Sequence, residues 1–315
     1  MDTQVNLLLT GNELMNGDII DTNSLMFAEQ LNNIGLSINK KITIGDDSEQ
    51  LCSEIVQLSQ TADLLIINGG LGPTIDDLTS PALAQACGVD LQLQPQAHSH
   101  LKKWAARRNI ILNEPNLKQA YLPKGCKIIA NTTGSAVGFS ITLGKCLILC
   151  TPGVPSELAQ MLKDEIIPNL QLRFPNAIKP SIARLQTFGV GESTLQALID
   201  DNLPDWPKEV AIGFRAAMPL LEIKLTPLNS QGKKNLTSSL QAISQLLGDH
   251  ILQTGESDKN TLAEYLVPLL IKSKQKITVA ESCTGGLIAS QITAIAGSSA
   301  IFEAGYVTYS NEMKS

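Results

Sequence analysis

Short apolar runs alternate with amphipathic segments along the first half of the chain. The runs at 5–9, 37–44 and 63–67 are typical of buried strands. Segments with apolar side chains at helical spacing follow the first two runs, beginning near residue 23 and at Ser48. Because strand and helix alternate, the pattern predicts an α/β fold with a doubly wound, mostly parallel sheet covered by helices on both faces.

The pattern changes twice further along the chain. After a hairpin predicted at 139–150 and a helix that ends near residue 167, prolines mark a joint at 174–180. We therefore predict a first domain over 1–174 and a small α+β domain over 181–252. A third unit over 256–315 has a helix, a strand, the turn ESCTGG, a second helix and a last strand at 306–310. That is too little to close a doubly wound sheet, so we expect this α/β domain to be incomplete.

Composition and charge narrow the class of partner. The 315 residues are 43% hydrophobic with a net charge of −6, which argues against nucleic acid as the main ligand. No stretch approaches a membrane span, and the start of the chain lacks the pattern of a signal peptide. We expect a cytoplasmic protein with no membrane partner. Its six cysteines contain no CxxC spacing and are expected to be reduced.

Three loops that leave predicted strands carry unusual residues: TGNELMNGDIIDTN, NGGLGPTIDD and TPGVPSE. Ligands of open α/β sheets bind beyond the carboxyl ends of the strands, where such loops converge. In the second loop, Gly69, Gly70 and Gly72 would allow backbone N–H groups to approach a ligand, since no Cβ is in the way. Helix starts predicted after Ser80 and Pro155 would favour phosphate.

The two acidic residues of that loop point to a metal. Asp76 and Asp77 would repel a phosphate directly, but they would hold Mg²⁺ or a similar divalent ion against it. A structural alternative stays open, in which GGLG is a tight turn and Asp77 or Thr79 caps the next helix. The loop is neither a Walker A motif nor a GxGxxG fingerprint.

Several motifs together resemble one family. GNELMNGDIIDTN, NGGLGPTIDDLT, NLKQA, TTGSAVGF and TPGVPSEL are similar to the N-terminal domain of the CinA (competence/damage-inducible) family. That domain is itself similar to molybdopterin-binding proteins, which implies a three-layer α/β/α fold. TFGVGES resembles the family's KH-like linker, while VAESCTGG and GYVTYSNEMK resemble the start of its nicotinamide-nucleotide amidase domain.

The resemblance implies two activities. The N-terminal domain would be a metal-dependent ADP-ribose pyrophosphatase with Asp76 and Asp77 as metal ligands. Its substrate-binding residues would be Glu13, Gly69, Gly70, Gly72 and Thr74. The family usually has Thr or Asp where this chain has Asn12, so the first loop departs from the family pattern there. The KH-like part contains no GXXG, which argues against RNA binding.

For the amidase, the resemblance implies Ser282 as nucleophile, with Tyr309 and Lys314 at the other catalytic positions. Thr284 and Gly285 would bind substrate, and the N–H groups of the following helix would face an oxyanion. A neutral Lys314 could accept the Ser282 proton. Without the family, ESCTGG reads more readily as a capped helix start. Since Lys314 is the penultimate residue, we expect little amidase activity from the chain as given.

The leading hypothesis is a hydrolase of pyridine-nucleotide recycling that acts on a small-molecule nucleotide and forms a homodimer. One alternative is a non-catalytic protein that binds a pterin or nucleotide with the same loops. Another is molybdenum-cofactor synthesis, although the two appended domains argue against it.

Overall fold

The computed structural model describes residues 3–177, 181–217, 219–255 and 261–314, without the side chains of residues 217 and 314. The chain divides into two compact units, one ending at residue 179 and the other starting at residue 180. Within the described ranges, no helix has both the length and the apolar character needed to cross a membrane.

A six-stranded sheet forms the centre of the first unit. The strands of this unit are β1 (Val5–Thr10), β2 (Ile38–Ile44), β3 (Leu64–Asn68), β4 (Leu91–Leu93), β5 (Tyr121–Pro123), β6 (Lys127–Ile129), β7 (Gly138–Leu143) and β8 (Cys146–Thr151). The sheet order is β2-β1-β3-β8-β7-β6, whereas β4 and β5 form a separate pair. Strand β1 is parallel to β2 and β3, and β3 is parallel to β8. Only β7 runs against its neighbours, so the predicted mostly parallel sheet is confirmed.

Helices cover both faces of this sheet. They are α1 (Asn12–Met15), α2 (Asn23–Asn33), α3 (Ser48–Thr61), α4 (Thr79–Cys87), α5 (Pro95–Arg108), α6 (Glu114–Lys118), α7 (Pro155–Met161) and α8 (Ile167–Arg173), with a π-helical turn at Leu162–Ile166. Successive side chains of β1 point to opposite faces. Leu8 packs in one hydrophobic cluster with α3 and α4, while Leu7 and Leu9 pack in a second cluster with α2 and α7. The predicted three-layer α/β/α architecture is therefore confirmed.

The second unit begins with a four-stranded antiparallel sheet. Its elements are β9 (Ala183–Phe188), α9 (Glu192–Asn202), β10 (Val210–Ala217), β11 (Leu220–Pro227), α10 (Ser230–Leu247) and β12 (Ile251–Thr254). The sheet order is β10-β11-β9-β12, and α9 and α10 share a hydrophobic cluster with it. Strand β12, which extends the sheet beside β9, was missing from the sequence prediction.

The last part of the chain forms a smaller α/β group. It comprises α11 (Leu262–Ser273), β13 (Ile277–Glu281), α12 (Leu287–Thr293) and β14 (Phe302–Val307), and β13 pairs in parallel with β14. The strand predicted at 306–310 was placed too far along the chain, because residues 302–307 pair with β13. The last hydrogen bond of this pairing is donated by the Thr308 N–H to the Glu281 carbonyl at 2.7 Å. The three domain boundaries stay a prediction.

Candidate functional site

A pocket of about 560 Å³ lies at the carboxyl edge of the first unit's sheet. Strand β1 lies between β2 and β3 in the sheet. The chain leaves β1 toward β2 and leaves β3 toward the opposite end of the sheet, so the loops after β1 and β3 diverge there. The loops after β2 and β8 complete the wall. All seven residues predicted for this domain line the pocket, namely Glu13, Gly69, Gly70, Gly72, Thr74, Asp76 and Asp77.

The glycines after β3 are needed because protein atoms surround the turn. Gly69 and Gly70 have φ values of +109° and +65°, which favour glycine. A Cβ at Gly69 would lie 2.4 Å from the Thr10 carbonyl oxygen, and one at Gly70 would lie 2.4 Å from Thr79 Oγ1. The sequence argument expected the missing Cβ atoms to make room for a ligand. At these two positions they make room for the last residue of β1 and the first residue of α4.

Asp77 holds the turn in shape. Its carboxylate accepts hydrogen bonds from the Gly72 N–H at 2.7 Å and from the Thr74 N–H at 2.8 Å. The Thr74 hydroxyl donates to it at 2.6 Å. Asp77 therefore braces its own loop rather than capping a helix, since the N-cap of α4 is Leu78.

Thr79 anchors the other end of the same turn. Helix α4 begins at this fully buried residue, one position before the predicted cap Ser80. The Thr79 hydroxyl donates to the Gly69 carbonyl at 2.8 Å, and its N–H donates to the Gly70 carbonyl at 3.1 Å. The Thr79 hydroxyl therefore stabilises the glycine turn and does not cap the helix.

Asp76 is the carboxylate that the turn leaves exposed to the pocket. The neighbouring Thr74 hydroxyl, the backbone N–H of Asp76 itself and the nearby Lys118 charge lower the pKa of Asp76, and desolvation opposes them. The Lys118 ammonium also donates to the Thr74 carbonyl at 2.5 Å. Asp76 is therefore an ionised group beside the glycine turn.

These residues suit a metal site in which water and substrate supply some of the ligands better than one in which the protein supplies all of them. Within the part of the chain that the structure describes, no group of three or more His, Cys, Asp or Glu side chains could hold an ion. Mg²⁺ usually binds through one or two carboxylates together with water and substrate phosphates. Asp76 suits that role, whereas the Asp77 oxygens already serve the loop.

The first loop is tied to the loop after β2. The Asn12 N–H donates to Asp46 at 2.9 Å, and the Asp46 N–H donates back to the Asn12 side-chain oxygen at 3.2 Å. Asn12, the residue that departs from the family pattern, is thus a good structural fit here. The exposed Glu13 carboxylate lies over Gly11, where a Cβ would come within 2.6 Å of it.

A buried carboxamide network forms the floor of the pocket. The Asn68 side chain donates to Thr151 Oγ1 at 3.0 Å and to the Pro152 carbonyl at 2.7 Å. The Asn23 side chain donates to Asn68 Oδ1 at 2.9 Å and to the Gly153 carbonyl at 2.7 Å. Sequence reasoning missed this network, although a polar residue ending the apolar run of β3 was a signal for it.

A second polar cluster forms the far wall. The Asn131 amide donates to the Glu157 carboxylate at 2.8 Å and accepts from the Gly134 N–H at 3.0 Å. His100 Nε2 lies 2.9 Å from the Gly134 carbonyl. Gln119 donates to Ser135 Oγ at 3.1 Å. The motifs NLKQA and TTGSAVGF contain Gln119, Gly134 and Ser135 and adjoin Asn131, but their individual roles were not predicted.

The predicted amidase residues lie beyond β13 and β14. Half-buried Ser282 follows β13, and Tyr309, 77% exposed, lies two residues after β14. Thr284 is exposed in the same turn, and Gly285 there has a φ of +60°. The side chain of Lys314 lies outside the described residues. Ser282 and Tyr309 thus follow neighbouring parallel strands.

The start of α12 is already occupied by Glu281. This buried carboxylate accepts N–H groups of Gly286 at 3.1 Å, Ile288 at 3.0 Å and Ala289 at 2.9 Å. Desolvation raises the pKa of Glu281, but these hydrogen bonds and one from Thr284 outweigh it, so the net pKa is lowered. The predicted oxyanion site at these three N–H groups is therefore not present.

Two family models and several relatives match the chain. The family model described as a probable molybdopterin binding domain matches residues 6–172, and that of the CinA C-terminal domain matches residues 259–315. A CinA-like protein from Colwellia psychrerythraea is 52% identical over 311 residues, which cover 99% of this chain and 72% of that protein. The chain belongs to the CinA family. Another relative of the family, from Shewanella woodyi, is 40% identical over the same share of each chain.

Two solved structures are similar to part of the chain. The protein CinA of Thermoplasma acidophilum is 28% identical, with a TM-score of 0.49, and the match covers 53% of this chain and 98% of that one. The molybdopterin biosynthesis enzyme MoaB of Thermus thermophilus is 18% identical, with a TM-score of 0.38, over 56% of this chain and 96% of that one.

Proposed function

We propose that the pocket of the first unit binds ADP-ribose and hydrolyses its diphosphate in the presence of a divalent ion. The observation that carries this proposal is Asp76, an ionised and exposed carboxylate beside a glycine turn at the switch point of the sheet. The pocket volume of about 560 Å³ lies within the range of small-molecule sites. The resemblance to the family supplies the identity of the substrate.

In the reaction, one water oxygen bonds to a phosphorus of the diphosphate and the bridging P–O bond breaks. One phosphate keeps the bridging oxygen, so ADP-ribose and water yield AMP and ribose 5-phosphate. A bound divalent ion would supply Lewis acidity at a phosphate oxygen. In this chain Asp76 would hold the ion, while Asp77 and Thr79 keep the turn in the shape that presents it.

The test is AMP release from ADP-ribose with and without Mg²⁺. We expect Asp76→Asn to lower kcat/KM by at least about 100-fold, the scale of removing an essential electrostatic group. Asp90→Asn is the matched control, because Asp90 is exposed and does not line the pocket. Equal turnover by wild type and Asp76→Asn would rule out this role.

A binding protein for a pterin or nucleotide is the alternative, and the molybdopterin-binding family model favours it. The same assay separates the two functions. Binding of a molybdopterin or nucleotide with no AMP release at any divalent-ion concentration would establish the non-catalytic protein.

For the last part of the chain we propose nicotinamide mononucleotide deamidation with Ser282 as nucleophile. The proposal rests on the match to the CinA C-terminal domain and on the position of Ser282 at a strand-to-helix turn. Any ammonia that wild type releases should be lost in Ser282→Ala and kept in Ser290→Ala, because Ser290 is an exposed serine of α12. The same rate from wild type and Ser282→Ala would contradict the assignment.

A further inference from the structure

Strand β10 forms one edge of the four-stranded sheet, and it is the longer and more regular of the two edges. It has eight residues and pairs with β11 without a shift in register. The opposite edge, β12, has four residues and a register shift beside β9. Proteins commonly protect edge strands by shortness, bulges or prolines. Strand β12 is short and irregular, whereas β10 has none of these three protections.

The hydrogen bonds of β10 show which of its backbone groups point away from the sheet. Glu209, which precedes the first residue of the strand, accepts the Leu228 N–H of the neighbouring chain segment at 2.8 Å. The backbone groups of residue 209 therefore face β11. Facing alternates along an antiparallel pair, so every second residue from 211 also faces β11. The residues between them face the open edge, namely Val210, Ile212, Phe214 and Ala216.

Val210 has its edge-facing groups paired within its own segment. Its N–H donates to the Pro207 carbonyl at 2.9 Å, and its carbonyl accepts from Trp206 Nε1 at 2.7 Å. Among the residues that the structure describes, none bonds to the edge-facing N–H and carbonyl groups that follow. These groups belong to Ile212, Phe214 and Ala216. They are therefore available to hydrogen-bond an added strand.

The face of the sheet away from α9 and α10 is basic beside this edge. Arg215 bonds to its cross-strand neighbour Glu222 at 3.2 Å, yet the Arg215 side chain is 66% exposed. Glu222 also bonds to Arg184 at 2.6 Å. Lys224 lies on the same face, opposite the exposed Gly213. Three cationic side chains thus accompany one carboxylate, which leaves an excess of positive charge next to the edge.

The face toward the helices is apolar at the same edge. Ile212 and Phe214 are half-buried and pack against the hydrophobic cluster that contains residues of α9 and α10. An added strand would place its side chains alternately on the two faces. In an antiparallel strand, the side chains opposite Ile212 and Phe214 would extend the apolar layer. Those opposite Gly213 and Arg215 would lie on the basic face.

We propose that β10 is a docking edge for an extended segment of another protein, in which apolar side chains alternate with acidic ones. The backbone supplies hydrogen bonds, and the alternation of side chains supplies specificity. A second copy of this chain suits the edge less well, because its β10 would bring further basic side chains to the basic face. The proposal concerns the second unit and does not depend on hydrolysis by the first.

The test uses the whole chain and chemically matched peptides. The parent probe is a short fluorescein-labelled peptide in which valine and glutamate alternate. In an antiparallel strand, the valines opposite Ile212 and Phe214 direct their N–H groups to β10, and the glutamate N–H groups point away. N-methylation of the valines should weaken binding by at least about tenfold, and N-methylation of the glutamates by less than about twofold. Fluorescence anisotropy measures both changes.

Substitutions in the protein test the edge itself. Ala216→Pro removes an edge-facing N–H but no hydrogen bond to β11, a position where sheets tolerate proline. It should weaken binding of the parent peptide by about 3- to 10-fold. Arg215→Gln should weaken it by about two- to fivefold, and high salt should reduce this effect. Lys234→Gln is the matched control, because Lys234 is an exposed lysine of α10, and it should leave binding unchanged.

Equal losses from the two N-methylated peptides would overturn the proposal, and so would a parent peptide that does not bind wild type. Light scattering detects the competing occupant. If wild type ignores the peptide and Ala216→Pro lowers the mass of the protein in solution, a second copy occupies the edge and the proposal is wrong. The peptide pair decides alone if Ala216→Pro does not fold.

Discussion

The Asp77 carboxylate accepts the Gly72 N–H at 2.7 Å, and a Cβ on residue 72 would lie 2.5 Å from that same carboxylate. The acid and the glycine therefore require each other. This relationship separates the roles of two neighbouring aspartates, because Asp77 holds the loop and Asp76 faces the pocket.

We expect Asp77→Asn to lower the free energy of unfolding by about 1–2 kcal/mol. The two backbone N–H groups bond to different carboxylate oxygens, and the amide nitrogen that replaces one of them cannot accept. Asp76→Asn should leave the free energy of unfolding nearly unchanged, as is usual for exposed positions. Urea unfolding of the two variants measures the difference. Equal losses of stability would contradict the division of roles.

The two-glycine turn gives a second prediction. Gly69→Ala should destabilise the protein by about 3 kcal/mol, because it combines a left-handed conformation with a clash against the Thr10 carbonyl. Gly88→Ala is the control, with a φ of +66° and no atom within 4 Å of the new methyl group. It should cost about 1 kcal/mol. Similar urea midpoints for the two variants would show that the clash is relieved at no cost.

The cysteines should differ in reactivity. Burial raises the pKa of both Cys126 and Cys146 to about 11 and raises that of Cys150 well above its usual range, so these thiols are protonated at neutral pH. Cys283 is exposed in the turn before α12. We expect it to react first with a disulfide reagent at pH 7.5. Cys283→Ser should remove the fast phase, and Cys52→Ser should retain it.

The start of α12 should loosen in acid. Its carboxylate, Glu281, has a lowered pKa in the folded state. The stabilisation is therefore complete above the unfolded-state pKa of about 4.3 and is lost as pH falls through the lower folded-state value. Hydrogen-exchange protection of the Gly286, Ile288 and Ala289 amides should stay constant from about pH 7 to pH 5 and decline below about pH 4.

The matched variant for this prediction is Glu281→Gln. It should reduce protection of these three amides throughout the pH range, because the glutamine nitrogen cannot accept. The Ile277 amide, which donates to the Ile301 carbonyl, should be unaffected by the substitution. Protection that does not depend on pH in wild type would show that Glu281 does not hold the helix start.

The sequence predicted the elements whose hydrophobic period is long and uniform. The runs at β1, β3 and β8 are buried on both faces of the sheet, so their apolar side chains alone identified the parallel core. The sequence also identified the loops of the site, because glycines together with adjacent acidic residues are rare in loops that only connect two elements.

What the sequence could not predict is the partner of each polar group. The sequence patterns around Asp77 and Glu281 are compatible with either ligand binding or helix capping. The choice between these roles depends on differences of less than about 1 Å in the positions of loop atoms. Asn23 and Gly153 are hydrogen-bonded across 130 positions of the chain, a pairing that no local pattern contains. The short strands β4, β5 and β12 depend on neighbours in the same way.

The carboxamide chain from Asn23 through Asn68 to the backbone after β8 joins three distant segments by hydrogen bonds that use both Asn23 and Asn68 amide nitrogens. A single substitution in this network leaves an uncharged, buried donor or acceptor of another segment without its partner. New ligand preferences in this family should therefore arise in the outer loops, at exposed positions such as Ile20 and Val154, while the inner amides stay together.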